Sequence, residues 1–552
     1  MAAATTYDYV IVGAGSAGCV LASRLSADTT IRVLVLEAGP EDRGWKIHMP
    51  AALAEPLKDT KYNWWYETEP QMHLDGRRVY WPRGRVLGGS SSINGMAYVR
   101  GHALDYQRWA EDGARGWSYA EVLPYFRRAQ AHASGADAYR GGEGPLRVRT
   151  GTMANPLYEA WLEAGRQAGY PITGDMNGYQ QEGLARMDMT VHVGRRQSAA
   201  VAYLRPAMQR PNLTVVTEAM TLRVLVEGHR AVGVEYARRG ETVTARAERE
   251  VIVASGAING PQLLMLSGVG DADELRPLGV NVAHHLPGVG KNLQDHLECY
   301  VQYACTQPVT LYPALKPLGR LRVGIEWLLF NTGLGATNHF EAGGFIRSRA
   351  GVEHPDLQYH FFPMAITYYG TAPASGHGFQ AHIGPMRSPS RGFLRLRSTD
   401  PREHPVIEPN YMSHDADWQE FRAGVHLTRE LFAQKAFDAF RGEELQPGAA
   451  ATSDAAIDGF LRKHVESAYH PCGTCKMGTD PMAVVDAECR VHGLDGLRVV
   501  DASIMPSIPS GNLNAPTIMI GEKAADMILG TTPPPPSNAP YWVNPDWRTQ
   551  QR

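Results

Sequence analysis

The chain has 552 residues, a formal net charge of −3, 43% hydrophobic residues and 20% charged residues. That is too long for one compact domain and rich enough for a sizeable core. Charge is spread evenly with no basic tract, which argues against nucleic-acid binding. No apolar run of about 18 residues and no charged-then-apolar leader is visible, so neither a membrane-spanning helix nor a secretory signal is expected. Six unevenly spaced cysteines fit a reducing, cytoplasmic setting better than a disulfide framework.

In chain order, residues 9–12 read as a buried strand, 17–25 as a helix and 32–36 as a second strand, a βαβ start that implies a parallel sheet. Between the first strand and the helix lies Gly13-Ala14-Gly15-Ser16-Ala17-Gly18. The first glycine permits a tight turn, the second lets backbone approach a pyrophosphate, and the third lets helix and strand pack closely. Glu37 ends the second strand, where a carboxylate can accept from ribose hydroxyls. Taken alone, a glycine motif of this kind is weak evidence and does not separate FAD from NAD. A second loop, 83–94, carries Arg85, Gly88, Gly89, Ser92 and Asn94 and can bring backbone N–H groups against a flat ligand; otherwise it is a surface loop.

Apolar runs at 213–216, 251–254 and 497–500 suggest one sheet assembled from the start, middle and end of the chain. From about 301 to 459 the character changes. Aromatic strand 358–362 is followed by an amphipathic helix with Trp418, Phe421, Val425 and Phe432 on one face, most of a second domain. A further amphipathic segment, 317–330, carries Leu318, Leu321, Ile325 and Leu328 on one face. Such a helix either packs on its own domain, the commoner case, or rests on a membrane. Four prolines at 533–536 start an extended surface tail.

These motifs, together with 256–257 leading to 266–270, His470-Pro471, Asp501-Ala502-Ser503 and 511–517, resemble the glucose-methanol-choline oxidoreductase family over essentially the whole chain. The resemblance implies an α/β fold, with a Rossmann-like FAD-binding domain (1–154, 206–305 and 464–530), an α+β substrate-binding domain (155–205 and 306–463) and the tail 531–552. It implies FAD held by Gly13, Gly15, Ser16, Gly18, Glu37, Arg85, Gly88, Gly89, Ser92, Asn94, Val224, Asp501 and Ala502. Some choline-oxidising relatives attach the flavin covalently to a histidine in the Gly-Gly-Ser-Ser loop. Ile93 occupies that position here and has no nucleophilic nitrogen, so FAD is expected to be noncovalent. Gly260 stands where the family usually has Ser or Thr, with little expected consequence.

Segments outside the flavin motifs, among them 45–53, 175–178, 292–298 and 444–448, are similar to the choline-oxidising members. Oxidising an alcohol needs a group to take the hydroxyl proton and a donor to hold the developing alkoxide. An imidazole suits the first task and a carboxamide the second. The resemblance implies that His470 and Asn512 are this pair, facing flavin N5, and that His360 hydrogen-bonds the substrate hydroxyl. It also implies that Glu298 answers the fixed positive charge of choline, with Tyr469 beside it.

A permanent ammonium without N–H donors also calls for aromatic faces. Tyr300, Tyr359, Phe361 and Tyr469 are the candidates, though aromatics at such positions are more often plain core. His360 and Glu298 likewise have bland readings, as a buried strand histidine and a structural acid. Cys472-Gly473-Thr474-Cys475 lacks the second pair a zinc site wants and reads as loop cysteines; no metal is expected. The implied partners are choline, or in the alternative an uncharged primary alcohol, and a non-oxygen electron acceptor of the respiratory chain or quinone type. Oxygen use by an oxidase of the same family, and a flavin-fold lyase or binding protein without redox turnover, are the other readings. Peripheral contact with the inner face of the cell membrane is a further expectation.

Overall fold

The computed structural model describes residues 5–366 and 376–552. In chain order the main elements are β1 (Thr5–Val12), α1 (Ser16–Leu25), β2 (Val33–Leu36), α2 (Pro156–Gln167) and β3 (Gly183–Arg186). Next come β4 (Leu213–Val216), β5 (Met220–Glu227), β6 (Arg230–Arg238), β7 (Glu241–Val253) and β8 (Leu297–Cys305). They are followed by α3 (Pro317–Phe330), β9 (Ala342–Ile346), β10 (Leu357–Phe362), β11 (Gly378–Pro385) and α4 (Asp415–Phe432). β12 (Arg441–Gln446), β13 (Leu497–Val499) and α5 (Asn514–Leu529) complete the set.

Two seven-stranded sheets organise these elements. The first runs β4-β2-β1-β7-β6-β5, with β13 beside β7. Its β4, β2, β1, β7 and β13 neighbours are parallel, and β5-β6-β7 form an antiparallel meander. Strands from the beginning, middle and end of the chain therefore share one sheet, as the scattered apolar runs imply. The residues of β2 are buried throughout, as a parallel strand covered on both faces must be. Helices α1 and α5 lie together over this sheet. A Cβ on Gly521 of α5 would sit 3.0 Å from the Val20 side chain of α1, which is how closely the two approach.

The second sheet, β12-β8-β11-β10-β9-β3, is antiparallel. Its strands alternate strictly, and this alternation makes the site. Odd-numbered residues Cys299, Val301, Tyr303, Tyr359, Phe361, Phe379, Ala381 and Ile383 are buried in a core with Trp161 of α2 and with Phe421 and Phe432 of α4. The even-numbered residues Glu298, Tyr300, Gln302, His360, Gln380 and His382 face the other way, because successive side chains of a strand take opposite faces. The domain boundary expected at 305 therefore falls differently for one strand. β8 is hydrogen-bonded into the second sheet along its length, since its apolar residues complete that core. Glu466-Ser467 also pairs with β8.

The tail beyond 530 has no regular secondary structure and runs as an extended strap over both parts. Its Ser537 and Trp542 N–H groups donate to the Ala120 and Tyr179 carbonyls, and Arg552 pairs with Glu430 of α4 at 2.7 Å. Helix α3 spans the predicted residues, but its apolar face points outward. Leu318, Leu321, Leu328 and Leu329 are 60–82% exposed, while Trp327 on the opposite side is buried against Met49 and Ala52. The expectation that this face packs on its own domain is overturned. The side of the helix that reaches the body is the one carrying Trp327, whose indole N–H donates to the Gly194 carbonyl at 2.7 Å.

Candidate active site

A cavity of about 610 Å³ extends from the β1–α1 turn to the even-numbered face of the second sheet. At its first end, helix α1 begins at Gly15 without a side-chain cap, leaving free N–H groups and the positive end of the helix dipole towards the cavity. A Cβ on Gly18 would lie 2.0 Å from the Gly13 carbonyl oxygen, and one on Gly89 2.8 Å from the Gly15 Cα. Only glycine allows the turn, the helix and the second glycine loop to nest this closely.

Glu37 closes the strand end. Its carboxylate oxygens accept from the Ala14 N–H at 3.1 Å and the Gly39 N–H at 2.8 Å. Burial pushes its pKa up to about 7, against those bonds and Arg85. Thr221 Oγ1 is buried without a hydrogen-bond partner on the Ala219-Met220-Thr221 stretch of the lining. A glycine cradle at a free helix N-terminus, a buried carboxylate and an orphaned hydroxyl together fit a dinucleotide cofactor.

Gly13, Gly15, Ser16, Glu37, Gly89, Asn94, Asp501 and Ala502 line this cavity. Gly18, Arg85, Gly88, Ser92 and Val224 do not, and each for a packing reason. Gly18 sits against the turn behind it. The Arg85 guanidinium lies over the Trp64 ring, 5.2 Å from its centroid. The Gly88 N–H donates to the Ala14 carbonyl at 2.7 Å, which ties the two glycine loops together. Ser92 Oγ donates to the Leu87 carbonyl. Val224 points into the core from β5, and its N–H is taken by Ser267 Oγ; the cavity is instead lined by residues 219–221 at the start of that strand. Ile93 is buried and lines the cavity as an inert side chain.

His470, Asn512, His360, Glu298 and Tyr469 all line the other end. Tyr469 has φ 65°, a left-handed conformation that costs a non-glycine residue about 1 kcal/mol or more. It is held there by its N–H donating to Ser467 Oγ at 2.8 Å and by Arg83 Nη2 donating to its carbonyl at 2.6 Å. Buried Asp295 accepts the His470 N–H at 2.7 Å and the hydroxyls of Ser467 and Tyr411. Burial lifts its pKa to about 6, with those hydrogen bonds and Arg83 opposing. This bracket fixes the backbone from which the His470 ring projects.

The tautomer of His470 follows from a backbone carbonyl. His296 Nε2 lies 3.0 Å from the Met386 oxygen, which can only accept, so Nε2 carries the hydrogen. Burial holds the His296 pKa down at about 4, so its Nδ1 is an unprotonated acceptor. That Nδ1 is 3.1 Å from His470 Nδ1, which must therefore donate. His470 Nε2 is left with a lone pair, 3.2 Å from Asn512 Nδ2. Asn512 Oδ1 in turn accepts from Gln358 Nε2 at 3.1 Å. Burial, then His296, Arg83 and His360, hold the His470 pKa well below the ordinary imidazole value. His296 and Asp295 carry no role in the sequence reading, although both lie in the run 292–298 that bears the family resemblance.

His360 faces Phe340 and His382 with ring centroids 5.8 and 6.5 Å away, and burial holds its pKa down at about 4. Glu298 Oε1 accepts from Tyr300 Oη and His382 Nδ1, each at 3.2 Å. Burial pushes the Glu298 carboxyl up, and the hydrogen bonds from His382 Nδ1 and Tyr300 Oη pull it down. Of the expected aromatic faces, Tyr300 and Tyr469 line the cavity. Tyr359 and Phe361 are fully buried in the opposite core, because odd and even residues of β10 take opposite faces. Phe340 and His382 line the cavity as well; the alternation of Gln380 and His382 with apolar neighbours in β11 was the available signal for the histidine. Cys472 and Cys475 are buried with thiols pushed up by burial. Among the described residues no group of His, Cys, Asp and Glu could hold a metal ion.

With this geometry, the chain matches the family model "GMC oxidoreductase" in two parts, over residues 7–298 and 388–521; it belongs to the GMC oxidoreductase family. It is 59% identical to "Choline dehydrogenase, mitochondrial" of Mus musculus over 99% of this chain and 93% of that one. It is 57% identical to "Oxygen-dependent choline dehydrogenase" of Brucella ovis over 99% and 100%. Among solved structures it superposes on pyridoxine 4-oxidase from Mesorbium loti with a TM-score of 0.87 at 33% identity, covering 95% of this chain and 100% of that one. Formate oxidase of Aspergillus oryzae RIB40 superposes with a TM-score of 0.89 at 26% identity, covering 95% and 98%.

Proposed function

We propose that this chain is an FAD-dependent enzyme that oxidises choline to betaine aldehyde, and through the hydrated aldehyde to glycine betaine, passing electrons to a non-oxygen acceptor. The carrying observation is the His470 Nε2 lone pair beside the Asn512 amide, at the end of the cavity that also holds Glu298. FAD, bound noncovalently in the glycine-lined arm, supplies the acceptor for the hydride leaving the alcohol carbon. His470 Nε2 takes the hydroxyl proton as general base. An Asn512 Nδ2 hydrogen holds the oxygen as it becomes an alkoxide. His360 steadies the same hydroxyl, while Glu298 attracts the trimethylammonium group, with Tyr300, Tyr469 and Phe340 offering ring faces to it.

The test is anaerobic reduction of the purified flavoprotein by choline, ethanolamine, butanol and benzyl alcohol. Choline is expected to bleach the flavin fastest by a wide margin. Equal rates for butanol and choline would favour a general alcohol oxidase, and an unbleached spectrum with every alcohol would exclude redox turnover altogether. Peroxide formed per choline consumed distinguishes oxygen from another acceptor; a ratio far below one is expected.

The base must be unprotonated in the free enzyme. Because the His470 pKa lies well below the ordinary 6.5, kcat/KM for choline is expected to stay level through neutral pH and to fall only under distinctly acidic conditions. An acid limb centred at or above 6.5 would contradict this.

A lipid surface is the reading of α3 that its composition favours. Its exposed Leu318, Leu321, Ile325, Leu328, Leu329 and Phe330 adjoin exposed Lys316, Arg320 and Arg322, a pairing suited to anionic headgroups over acyl chains. The same helix packs on Met49 and Ala52, next to Leu53 and Leu57 of the cavity lining, so docking there would bring the enzyme beside a lipid-soluble quinone. No helix among the described residues is long and apolar enough to cross a membrane. Vesicles containing phosphatidylglycerol are expected to float the protein, and the Leu321→Glu/Leu328→Glu variant to lose at least ~tenfold in partitioning, since each buried leucine contributes about 1.5–3 kcal/mol. Equal flotation of both proteins would remove α3 from this role.

A further inference from the structure

Behind Glu298 a row of buried amides runs along the even-numbered face of the second sheet. Gln302 stands opposite Gln380, and Tyr300 opposite His382, on β8 and β11. Gln302, Gln380 and His382 are all buried. The Ile366 backbone N–H donates to Gln380 Oε1 at 2.9 Å, and Gln302 Nε2 donates to the same oxygen at 2.7 Å. A backbone N–H cannot reverse its role, so the Gln380 amide has one orientation, with its NH₂ group on the far side. That NH₂ nitrogen lies 2.7 Å from His382 Nε2. The contact is a hydrogen bond only if Nε2 carries no hydrogen. The ring hydrogen is then on Nδ1, which donates to Glu298 Oε1 at 3.2 Å. A second proton on Nε2 would point at an N–H donor.

We propose that Gln380 keeps His382 neutral, so that Glu298 retains an uncompensated negative charge for the cationic end of the substrate. His382 and Gln380 are positioning residues for specificity, and the inference rests on the choline reading above. Its physical content is a competition. An imidazolium 3.2 Å from Glu298 Oε1 would occupy the carboxylate that a trimethylammonium group must reach, and inside a protein like charges that close exclude one another strongly. A neutral N–H donor does the opposite, orienting one carboxylate oxygen while leaving the charge unspent. Among the described residues no lysine or arginine pairs with Glu298; the one ring nitrogen within salt-bridge distance of it is His382 Nδ1, which in the neutral ring is only an N–H donor.

The titratable groups around His382 are Glu298 and Tyr300 from β8, the latter with its ring centroid 4.1 Å away, and His360 from β10. Glu466 stands opposite Glu298 on the neighbouring strand, and Tyr469 and His470 share the cavity. Phe340 covers the His382 ring edge-on at 5.5 Å and does not titrate.

The test uses the FAD-loaded enzyme with choline and its uncharged isostere 3,3-dimethylbutan-1-ol. In wild type, KM for choline is expected to be level through the ordinary imidazole range. In Gln380→Leu, His382 Nε2 is free to take a proton, and KM for choline is expected to rise ~tenfold or more as pH falls through that range. KM for the isostere and kcat for both should stay put. Adding His382→Asn to Gln380→Leu keeps a neutral N–H donor with nothing to protonate and should restore a pH-level KM for choline. Should Gln380→Leu fail to retain FAD, His382→Lys decides: a fixed cation is expected to raise choline KM at least tenfold more than it raises that of the isostere. Choline KM that is pH-level in Gln380→Leu, or that moves in step with the isostere in either variant, overturns the inference. A wild-type flavin that choline does not bleach would sink the choline reading and this inference with it, whereas a bleached flavin with these negative results sinks the inference alone.

Discussion

His470→Ala is expected to slow flavin reduction by choline ~10²–10⁴-fold, the usual worth of a positioned general base, while leaving the flavin spectrum of the purified protein unchanged. The effect should appear in the reduction rate more than in the apparent Kd for choline, because in the proposed reaction Nε2 acts on the hydroxyl proton and the ammonium end is held elsewhere. The hydrogen-bond chain from the Met386 carbonyl through His296 to His470 leaves the lone pair on the ring nitrogen that faces Asn512. Replacing His296 by phenylalanine removes the acceptor for His470 Nδ1–H, and both tautomers of His470 become available. A smaller loss, ~tenfold, is expected there. Stopped-flow reduction under anaerobic conditions measures both. A His470→Ala rate within tenfold of wild type would mean that another group takes the proton.

Glu298→Gln should lower kcat/KM for choline ~10²–10³-fold and leave 3,3-dimethylbutan-1-ol nearly untouched. Two unit charges about 4 Å apart attract by about 4 kcal/mol at the effective dielectric of a partly shielded protein site. Part of that is offset by stripping water from the ammonium, so about 3 kcal/mol is the expected net, or two to three powers of ten. Glutamine keeps the shape and the acceptor for Tyr300 and His382 but not the charge. The ratio of the two substrates separates charge from fit. A parallel fall for both would assign Glu298 to the architecture of β8 and not to the cation.

That the two glycine loops, Glu37, His470 and Asn512 belong to one cavity was legible because each sits in a short local motif. A tight turn needs glycine, a helix start offers N–H groups, and a histidine before a proline in a family motif stands out against other histidines. Strand alternation in 357–362 was present in the sequence but not read there, since Tyr359 and Phe361, offered as faces for the ammonium, lie on the buried side. Neighbours supplied by distant segments were not legible. His296 lies 174 residues before His470 in the chain, and its ring orients His470 only because the strand after it and the loop 467–471 come together over Asp295. The same holds for His382 beside Glu298, which pairing between β8 and β11 decides. Val224 was misplaced for the complementary reason: three residues along β5 separate the cavity lining from the core, and one apolar strand residue looks like another until the sheet is closed. For α3, periodicity showed an apolar stripe but not its direction. A 3.6-residue repeat is the same whether the stripe meets a core or solvent, and only the burial of Trp327 on the opposite side settled which way the leucines point. The sequence by itself thus determined the family and the cofactor-binding turn, carried by residues close in the chain, and pointed to His470 and Asn512 through the family motifs that hold them. The tertiary structure alone decided which nitrogen of His470 bears the lone pair, which residues surround Glu298 and which face of α3 is free, because each depends on contacts between segments that only the completed sheets bring together.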